Sequence, residues 1–335
     1  MQEKVHLVYT SDANYMMPSC VSAASALAHS TDDHPVVVHL IEEGVSDEQF
    51  DEFVRKLRRI RADAEIQRHT WTGDQFKNCR LWRGGTIIYA RLVFADVLPE
   101  DVDWAFQVDG DTLWLGDPWE CLRCRDESKI FMGSFDPPPE HGTFEDIKWM
   151  RENVLELNEN DYMCAGFALH NVKMMRETGF AQKALDFIHK YPNPPYADQG
   201  IMCYLAKGKS AVLPRQWGCF SIYQKGFDFT KPMLVHYVQD NPWVRKNPAR
   251  LMSDVVLVWF DFVKTVMGED LLSKYYSRCT RFFRRLAYVF FKHNQWLVNS
   301  NHYLATKLRD TVGLSRQTIM ALHERFVKFA KEIGK

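Results

Sequence analysis

Two aspartates spaced two positions apart are the clearest sign of chemistry in this 335-residue sequence. Asp109 and Asp111 follow the apolar run Trp104–Val108, so a buried strand would deliver both carboxylates into one turn. Hard divalent cations prefer oxygen ligands, and carboxylates at this spacing can approach one ion. His236 closes a later apolar run and is a candidate third ligand of a kind that manganese-like ions accept. A cation held in this way can bridge a diphosphate, although so short a pattern also occurs in ordinary acidic turns.

The segments that carry these residues alternate between strand and helix patterns, which is typical of an α/β domain with a mostly parallel sheet. Strands are predicted over Val5–Thr10, Val36–Ile41, Glu65–His69 and Trp104–Val108, and helices over Pro18–His29, Ser46–Ile60 and Thr86–Asp96. Ser46 and Gln49 have the spacing of a capping box at the start of the second of these helices. Ligands of such sheets bind at the carboxyl ends of the strands, so Ser11–Tyr15 and Asp109–Asp111 are expected to face one crevice.

The second half of the chain is less regular but carries recognisable elements. The patterns predict a strand over Gly166–Val172, a helix over Lys173–Tyr191 and a strand over Pro232–Tyr237. Residues 251–335 are expected to be largely helical. We therefore predict a catalytic domain over residues 1–250 and a helical region over residues 251–335.

The composition is that of a globular protein, with 46% hydrophobic and 25% charged residues. The net charge of −1 hides an asymmetry, because residues 271–335 carry 13 basic and 3 acidic side chains, whereas residues 1–270 carry 29 and 40. An acidic main body argues against binding of nucleic acid. The sequence shows no apolar run long enough for a transmembrane helix and no signal-peptide pattern, and its eight cysteines are scattered, which predicts a cytoplasmic protein with reduced thiols.

Two classes of enzyme use such a pair of aspartates. In haloacid-dehalogenase-like phosphatases, which the segment Asp109-Gly-Asp111-Thr112 also resembles, the first aspartate is a nucleophile and the second a general acid. In that class the motif follows the first strand of the core, whereas here a long α/β segment precedes it. In glycosyltransferases that use nucleotide-sugars, the pair binds a metal and a diphosphate after such a segment.

Several further motifs, in order, resemble those of glycosyltransferase family eight over roughly residues 5–245. They include Val8-Tyr-Thr-Ser-Asp-Ala-Asn-Tyr15, the Tyr-x-Arg of Tyr89 and Arg91, the strand Tyr162-Met-Cys-Ala-Gly-Phe, the pair Asp198-Gln199, and His236-Tyr237 followed by Pro242-Trp243. The resemblance implies a GT-A nucleotide-diphospho-sugar transferase fold and a retaining transfer of a hexose from a UDP-sugar. It also implies a cofactor, Mn²⁺ or Mg²⁺.

The resemblance assigns a role to each motif. The donor would contact Thr10, Asp12, Asn14, Tyr15, Arg91 and Asp136, with Asp12 at the uracil edge and Tyr15 stacked on the base. The metal would be held by Asp109, Asp111 and His236. Gln199 would lie beside the anomeric carbon, and Asp198 would orient the sugar hydroxyls.

Two positions depart from the family's pattern. Cys164 stands where the family has an asparagine that contacts the donor sugar, and Asn241 stands where it has a lysine that pairs with the diphosphate. A non-catalytic UDP-sugar-binding membrane protein is therefore an alternative to the transferase. Isolated residues also have simpler explanations, since Asp12 and Asn14 suit a helix cap and Arg91 suits a surface ion pair.

The basic tail interleaves aromatic residues with arginine and lysine over residues 274–292. A basic amphipathic helix of this type can lie in the interface of an anionic membrane, and the alternative is a helix that packs its aromatics on the main domain. We expect peripheral association with the inner face of the cell membrane. The expected acceptor is therefore a lipid-linked glycan, such as a lipopolysaccharide core or another cell-surface glycan.

Overall fold

The computed structural model describes residues 2–79, 81, 85–135, 152–153, 155–157, 161–192, 198–220, 233–238, 241–244, 254–277 and 316–334. Asp136 lies outside these residues, as does the tail segment after residue 277 up to residue 315. Their predicted roles stay predictions.

Strands and helices alternate through the first half of the chain, as the sequence predicts. The strands are β1 Val5–Asp12, β2 Val36–Glu43, β3 Glu65–Thr70, β4 Trp104–Val108, β5 Thr112–Trp114, β6 Phe131–Phe135, β7 Met163–Asn171, β8 Ser210–Val212, β9 Trp217–Phe220 and β10 Leu234–His236. The helices are α1 Met16–His29, α2 Asp47–Arg58, α3 Ala90–Val97, α4 Pro118–Leu122, α5 Val172–Glu177, α6 Phe180–Lys190, α7 Gln199–Leu205, α8 Asp254–Thr265, α9 Leu271–Tyr275 and α10 Arg316–Glu332. The predicted capping box at α2 is present, with the Ser46 side chain accepting from the Gln49 N–H.

The main sheet has seven strands in the order β3-β2-β1-β4-β7-β6-β8. Strand β1 pairs in parallel with both β2 and β4, whereas β7 runs antiparallel to β4 and β6. Side chains of β1 alternate between two apolar cores, with Leu7 and Tyr9 in one and Val8 in the other. Helices α1, α2 and α8 contribute to the first core and α3, α5 and α6 to the second, so helices cover both faces of the sheet.

A smaller sheet of three strands, in the order β5-β10-β9, positions the histidine of the candidate site. Strand β5 begins directly after Asp111, and its first residue, Thr112, pairs with His236 at the end of β10. The N–H of Tyr237 also donates to the carbonyl oxygen of Asp111 at 2.7 Å. This pairing brings residues 125 positions apart into contact.

The prediction of a single helix over Lys173–Tyr191 is wrong, because the structure has two helices there, α5 and α6. Gly179 separates them with a φ of 63°, a left-handed conformation that glycine adopts without the strain other residues incur. Asn171 caps the first of the two helices by accepting from the N–H of Met174 at 2.9 Å.

The described helices near the carboxyl terminus pack onto the first core. Val255 and Trp259 of α8 are fully buried, and the Tyr237 hydroxyl donates to the carbonyl oxygen of Val255 at 3.0 Å. Phe326 of α10 lies edge-on to Phe262 of α8, with ring centroids 5.4 Å apart. Among the described residues, none of the helices has the length and apolarity needed to cross a bilayer.

Candidate active site

Asp109, Asp111 and His236 form one compact cluster at the carboxyl end of β4. Their ligand atoms all lie within 4.8 Å of one another. Nε2 of His236 is 3.1 Å from Oδ1 of Asp111 and 3.8 Å from Oδ2 of Asp109. Two carboxylates and an imidazole suit a manganese-like ion, so the donor set fits the metal that the sequence predicts.

A glycine allows these groups to come so close. A Cβ added at Gly166 of β7 would lie 2.2 Å from Cε1 of His236 and 2.8 Å from Oδ2 of Asp109. Real Cβ atoms do not approach other atoms so closely, so only glycine fits here. The carbonyl oxygen of Gly166 also accepts from the N–H of Asp109 at 2.7 Å, which fixes the backbone beneath the cluster.

Arg91, on α3, forms ion pairs with two carboxylates, those of Asp109 and Asp198. One end of its guanidinium forms a close ion pair with Asp109, and Nη1 lies 3.2 Å from Oδ2 of Asp198. Its Nε also donates to the hydroxyl of Thr10 at 3.4 Å. The side chains of Arg91 and Asp198 are only 11% and 3% exposed, so this is a buried pair and not the surface ion pair considered above.

Burial dominates the electrostatics of the cluster. Desolvation raises the pKa of Asp109 to about 6, against the opposing effect of Arg91. Desolvation also raises the pKa of Asp198. Burial alone would lower the pKa of His236, but the carboxylate of Asp111 outweighs it and raises that pKa well above its ordinary value. The cluster therefore attracts positive charge, as either protons or a cation.

Asp198 and Gln199 stand at the start of α7 beside the cluster. The N–H of Ala165, one residue before Gly166, donates to Oε1 of Gln199 at 3.2 Å. This hydrogen bond joins Gln199, at the start of α7, to β7, the strand whose Gly166 lies against His236 and Asp109. The ion pairs of Arg91 and this hydrogen bond therefore place the predicted catalytic pair beside the predicted metal ligands.

The residues predicted to bind the nucleotide follow β1. Oδ1 of Asp12 accepts from the backbone N–H groups of Asn14 and Tyr15, both at 2.9 Å, which forms a tight turn into α1. The ring of Tyr15 lies edge-on to Trp243, with centroids 5.9 Å apart. Thr10 faces Arg91, and Asn14 is exposed. The N-cap position of α1 is Tyr15, so Asp12 forms the turn before the helix and does not cap it, and its predicted contact with the base stays a prediction.

Sequence reasoning missed one residue beneath the cluster. Gln107 is fully buried in β4, and its Nε2 lies 3.4 Å from Oδ1 of Asp109. The available signal was a single amide within the apolar run Trp104–Val108, two positions before Asp109 and therefore on the same face of the strand.

Comparisons with known proteins bear on the family and the fold of the chain. A model of glycosyl transferase family 8 matches residues 6–247. The galactosyltransferase LgtC, solved with donor and acceptor sugar analogs, shares the fold with a TM-score of 0.59 at 21% identity, over 72% of this chain and 90% of that chain. An LgtC active-site mutant with glutamate in place of glutamine gives a TM-score of 0.60 at 20% identity, with the same coverage.

Two further solved structures share the fold. The bifunctional glycosyltransferase WbbM gives a TM-score of 0.60 at 19% identity over 72% of this chain, and the match spans about half of WbbM, 47% of its length. Mouse xyloside xylosyltransferase 1 gives a TM-score of 0.54 at 13% identity, over 71% of this chain and 99% of that chain. A search of curated protein sequences found no significant match.

Proposed function

The chain belongs to glycosyl transferase family 8, and we propose that it transfers a hexose, glucose or galactose, from a UDP-sugar to a glycan acceptor with retention at the anomeric carbon. The chain has the GT-A fold of this family, and its seven-stranded sheet carries the candidate residues at one edge. The observation that carries the proposal is the bridge from Asp109 through Arg91 to Asp198, which joins the metal cluster to the Asp198-Gln199 pair.

The acidic cluster supports a metal-dependent reaction. Asp109, Asp111 and His236 would hold Mn²⁺, or alternatively Mg²⁺. When bound, such an ion supplies positive charge that stabilises the departing UDP. The support for this assignment is that carboxylate and imidazole donors lie within 4.8 Å of one another.

The neighbouring residues would handle the donor sugar. Burial raises the pKa of Asp198 and Arg91 opposes this effect, so the ion pair would favour the carboxylate form that accepts hydrogen bonds from sugar hydroxyls. Gln199, anchored by the N–H of Ala165, would stabilise the anomeric centre from one face. LgtC, in which replacement of a glutamine by glutamate is an active-site mutation, supports a glutamine in such a role.

The nucleotide would lie along the end of β1, near Tyr15. The ring of Tyr15 has its orientation set by Trp243, and its hydroxyl lies 3.4 Å from the amide of Asn241. A ring restrained in this way is a preformed surface for stacking of a base. Asp12, Asn14 and Asp136 complete the proposed donor site.

We propose that the acceptor is a cell-surface glycan, such as a lipopolysaccharide core, reached at an anionic membrane through residues 274–292. The support is the sequence pattern of this segment, of which residues 274–277 are described in the structure. A flotation assay checks it, since the chain should rise with vesicles that contain anionic lipid and stay behind with neutral ones. Charge reversal at Arg284 and Arg285 should abolish flotation, whereas flotation that survives this change would contradict the proposal.

Release of UDP tests the central proposal. UDP-glucose, UDP-galactose and a UDP-N-acetylhexosamine are each incubated with the full chain, with and without Mn²⁺, and free UDP is measured. We expect release that depends on Mn²⁺ and falls by at least 10²-fold in Asp111→Ala. The matched control is Asp103→Ala, because Asp103 is exposed and outside the cluster.

Each other outcome has a definite meaning. Absence of binding of any UDP species would overturn the proposal. Mn²⁺-dependent binding with no release of UDP, even with glycan acceptors present, would instead favour the non-catalytic sugar-nucleotide-binding protein. Hydrolysis of simple phosphoesters that is lost in Asp109→Asn would favour the phosphatase chemistry.

A further inference from the structure

Cys164 and Asn241, the two residues that depart from the family's pattern, both contact the proposed metal ligands. Cys164 lies on β7 and Asn241 lies after the end of β10, so they approach the cluster from two separate segments of the chain. Their side chains are buried, with Cys164 7% and Asn241 8% exposed. Buried polar groups beside an ion site usually orient the groups that bind the ion.

Cys164 faces the nitrogen of His236 that points away from the carboxylates. Its Sγ lies 3.9 Å from Nδ1 of His236 and accepts from the N–H of Gly166 at 3.3 Å. For Nε2 to bind a cation, Nδ1 must carry the ring proton, and Sγ of Cys164 is placed to accept a hydrogen bond from that Nδ1–H. The contact therefore favours the tautomer and the ring orientation that a metal requires.

Asn241 contacts Asp111, the proposed metal ligand whose carboxylate faces His236. With its amide oriented to satisfy its neighbours, Nδ2 donates to the carbonyl oxygen of Tyr237 at 2.7 Å and to Oδ2 of Asp111 at 3.3 Å. The other oxygen of Asp111, Oδ1, faces Nε2 of His236 at 3.1 Å. One oxygen of the Asp111 carboxylate therefore contacts the amide of Asn241 and the other contacts His236, which fixes the rotation of the carboxylate.

We propose that Cys164 and Asn241 are positioning residues of the metal site, and that they preset the His236 ring and the Asp111 carboxylate to bind a divalent cation. The inference rests on the proposed function, because it assumes a cation at this cluster.

Binding of Mn²⁺ alone tests this inference without relying on turnover. The full chain is titrated with Mn²⁺, with and without UDP, and the free ion is followed by its electron paramagnetic resonance signal. We expect Cys164→Ala and Asn241→Ala each to weaken Mn²⁺ binding by about 10- to 100-fold. The matched controls are Cys203→Ala and Asn171→Ala, which remove buried side chains of the same types that accept from backbone N–H groups, of Met163 and Met174 respectively, and not from the cluster.

A second pair of variants keeps the test decisive if alanine disturbs folding. Cys164→Ser keeps a small acceptor near Nδ1 and should recover part of the affinity, and Asn241→Ser should do so less well. The melting temperature of each metal-free variant, compared with that of its control, separates a lost ligand orientation from general destabilisation. The Mn²⁺ concentration for half-maximal UDP release should rise in parallel, with kcat largely recovered at saturating Mn²⁺.

The reference variant is Asp111→Ala. If wild type binds Mn²⁺, Asp111→Ala does not, and the Cys164 and Asn241 variants bind as tightly as their controls, the inference is wrong while the metal site stands. If wild type binds no Mn²⁺ in either titration, both the metal site and the inference are overturned. If Cys164→Ala and Asn241→Ala bind Mn²⁺ more weakly than their controls do, the result supports both the metal site and the inference.

Discussion

Replacement of Arg91 by methionine tests the electrostatic bridge most directly. The guanidinium contacts Asp109 and lies 3.2 Å from Asp198, and the side chains of these carboxylates are only 19% and 3% exposed. Methionine fills a similar volume without charge, so the change leaves both carboxylates buried without this cation. Removal of one partner of a buried ion pair costs about 3–5 kcal/mol, and we expect a loss of this size at pH 7.5.

The pH dependence of this loss makes the prediction specific. The pKa of Asp109 is raised to about 6, so at pH 5 this carboxyl is largely protonated and no longer pairs with Arg91. The variant should therefore lose less stability at pH 5 than at pH 7.5. Without Arg91 the pKa of Asp109 rises further, because the group escapes the cost of buried charge by taking up a proton.

Urea unfolding of the metal-free chain in the presence of a chelator measures both values. A shift of the midpoint without a change of slope reports the loss of stability. Arg91→Lys keeps the charge but only one of the two contacts, and should lose less than Arg91→Met. Arg123→Met, at an exposed pair with Glu120, should lose at most about 1 kcal/mol. A loss below about 1 kcal/mol for Arg91→Met at pH 7.5, or an equal loss at both pH values, would refute the reasoning.

Four further outcomes are expected. Gly166→Ala should abolish Mn²⁺ binding in a calorimetric titration, because its Cβ would lie 2.2 Å from Cε1 of His236, and binding close to that of wild type would contradict the proposed cluster. Ser46→Ala should lower the free energy of unfolding by about 1 kcal/mol, since it removes the capping box, and should leave UDP release unchanged; a change in UDP release would show that α2 acts on the site. Because the folded-state pKa values of Asp109 and His236 are raised, the metal-free chain should lose stability as the pH rises, from about 4 to 6 for Asp109 and above 6.5 for His236. Mn²⁺ displaces these protons, so its affinity should increase with pH over the same ranges, and a falling affinity in titrations at several pH values would argue against these ligands.

Features set by local sequence were predicted well. The bounds of Trp104–Val108 agree with β4, because an apolar run between polar residues defines a buried strand within a few positions. The capping box at Ser46 needs only residues three positions apart. The family resemblance supplied the link between the two aspartates and His236, and the structure brings these three residues together.

Features that depend on distant contacts were missed. Strands β5 and β8 have only three residues each, and such short strands are stabilised by their partners and not by a pattern of their own. The break at Gly179 was missed because a single glycine is tolerated within a helical pattern, and only the left-handed φ shows that the helix ends there. The pairing of Arg91 with Asp198 joins residues 107 positions apart, which no local spacing could indicate.

The packing of α8 determines where the chain can be truncated without loss of its apolar core. The predicted catalytic domain ends at residue 250, but the first apolar core continues beyond it, with Val255, Trp259 and Phe262 fully buried. Burial of each such side chain contributes about 1.5–3 kcal/mol, so a chain ending at residue 250 would forfeit an amount comparable to the whole stability of a typical domain. The ring of Trp259 also touches Trp243, which in turn touches Tyr15, with centroids 5.6 and 5.9 Å apart. A truncated enzyme intended for expression should therefore retain α8, because its removal would withdraw the support behind the ring on which the nucleotide is proposed to stack.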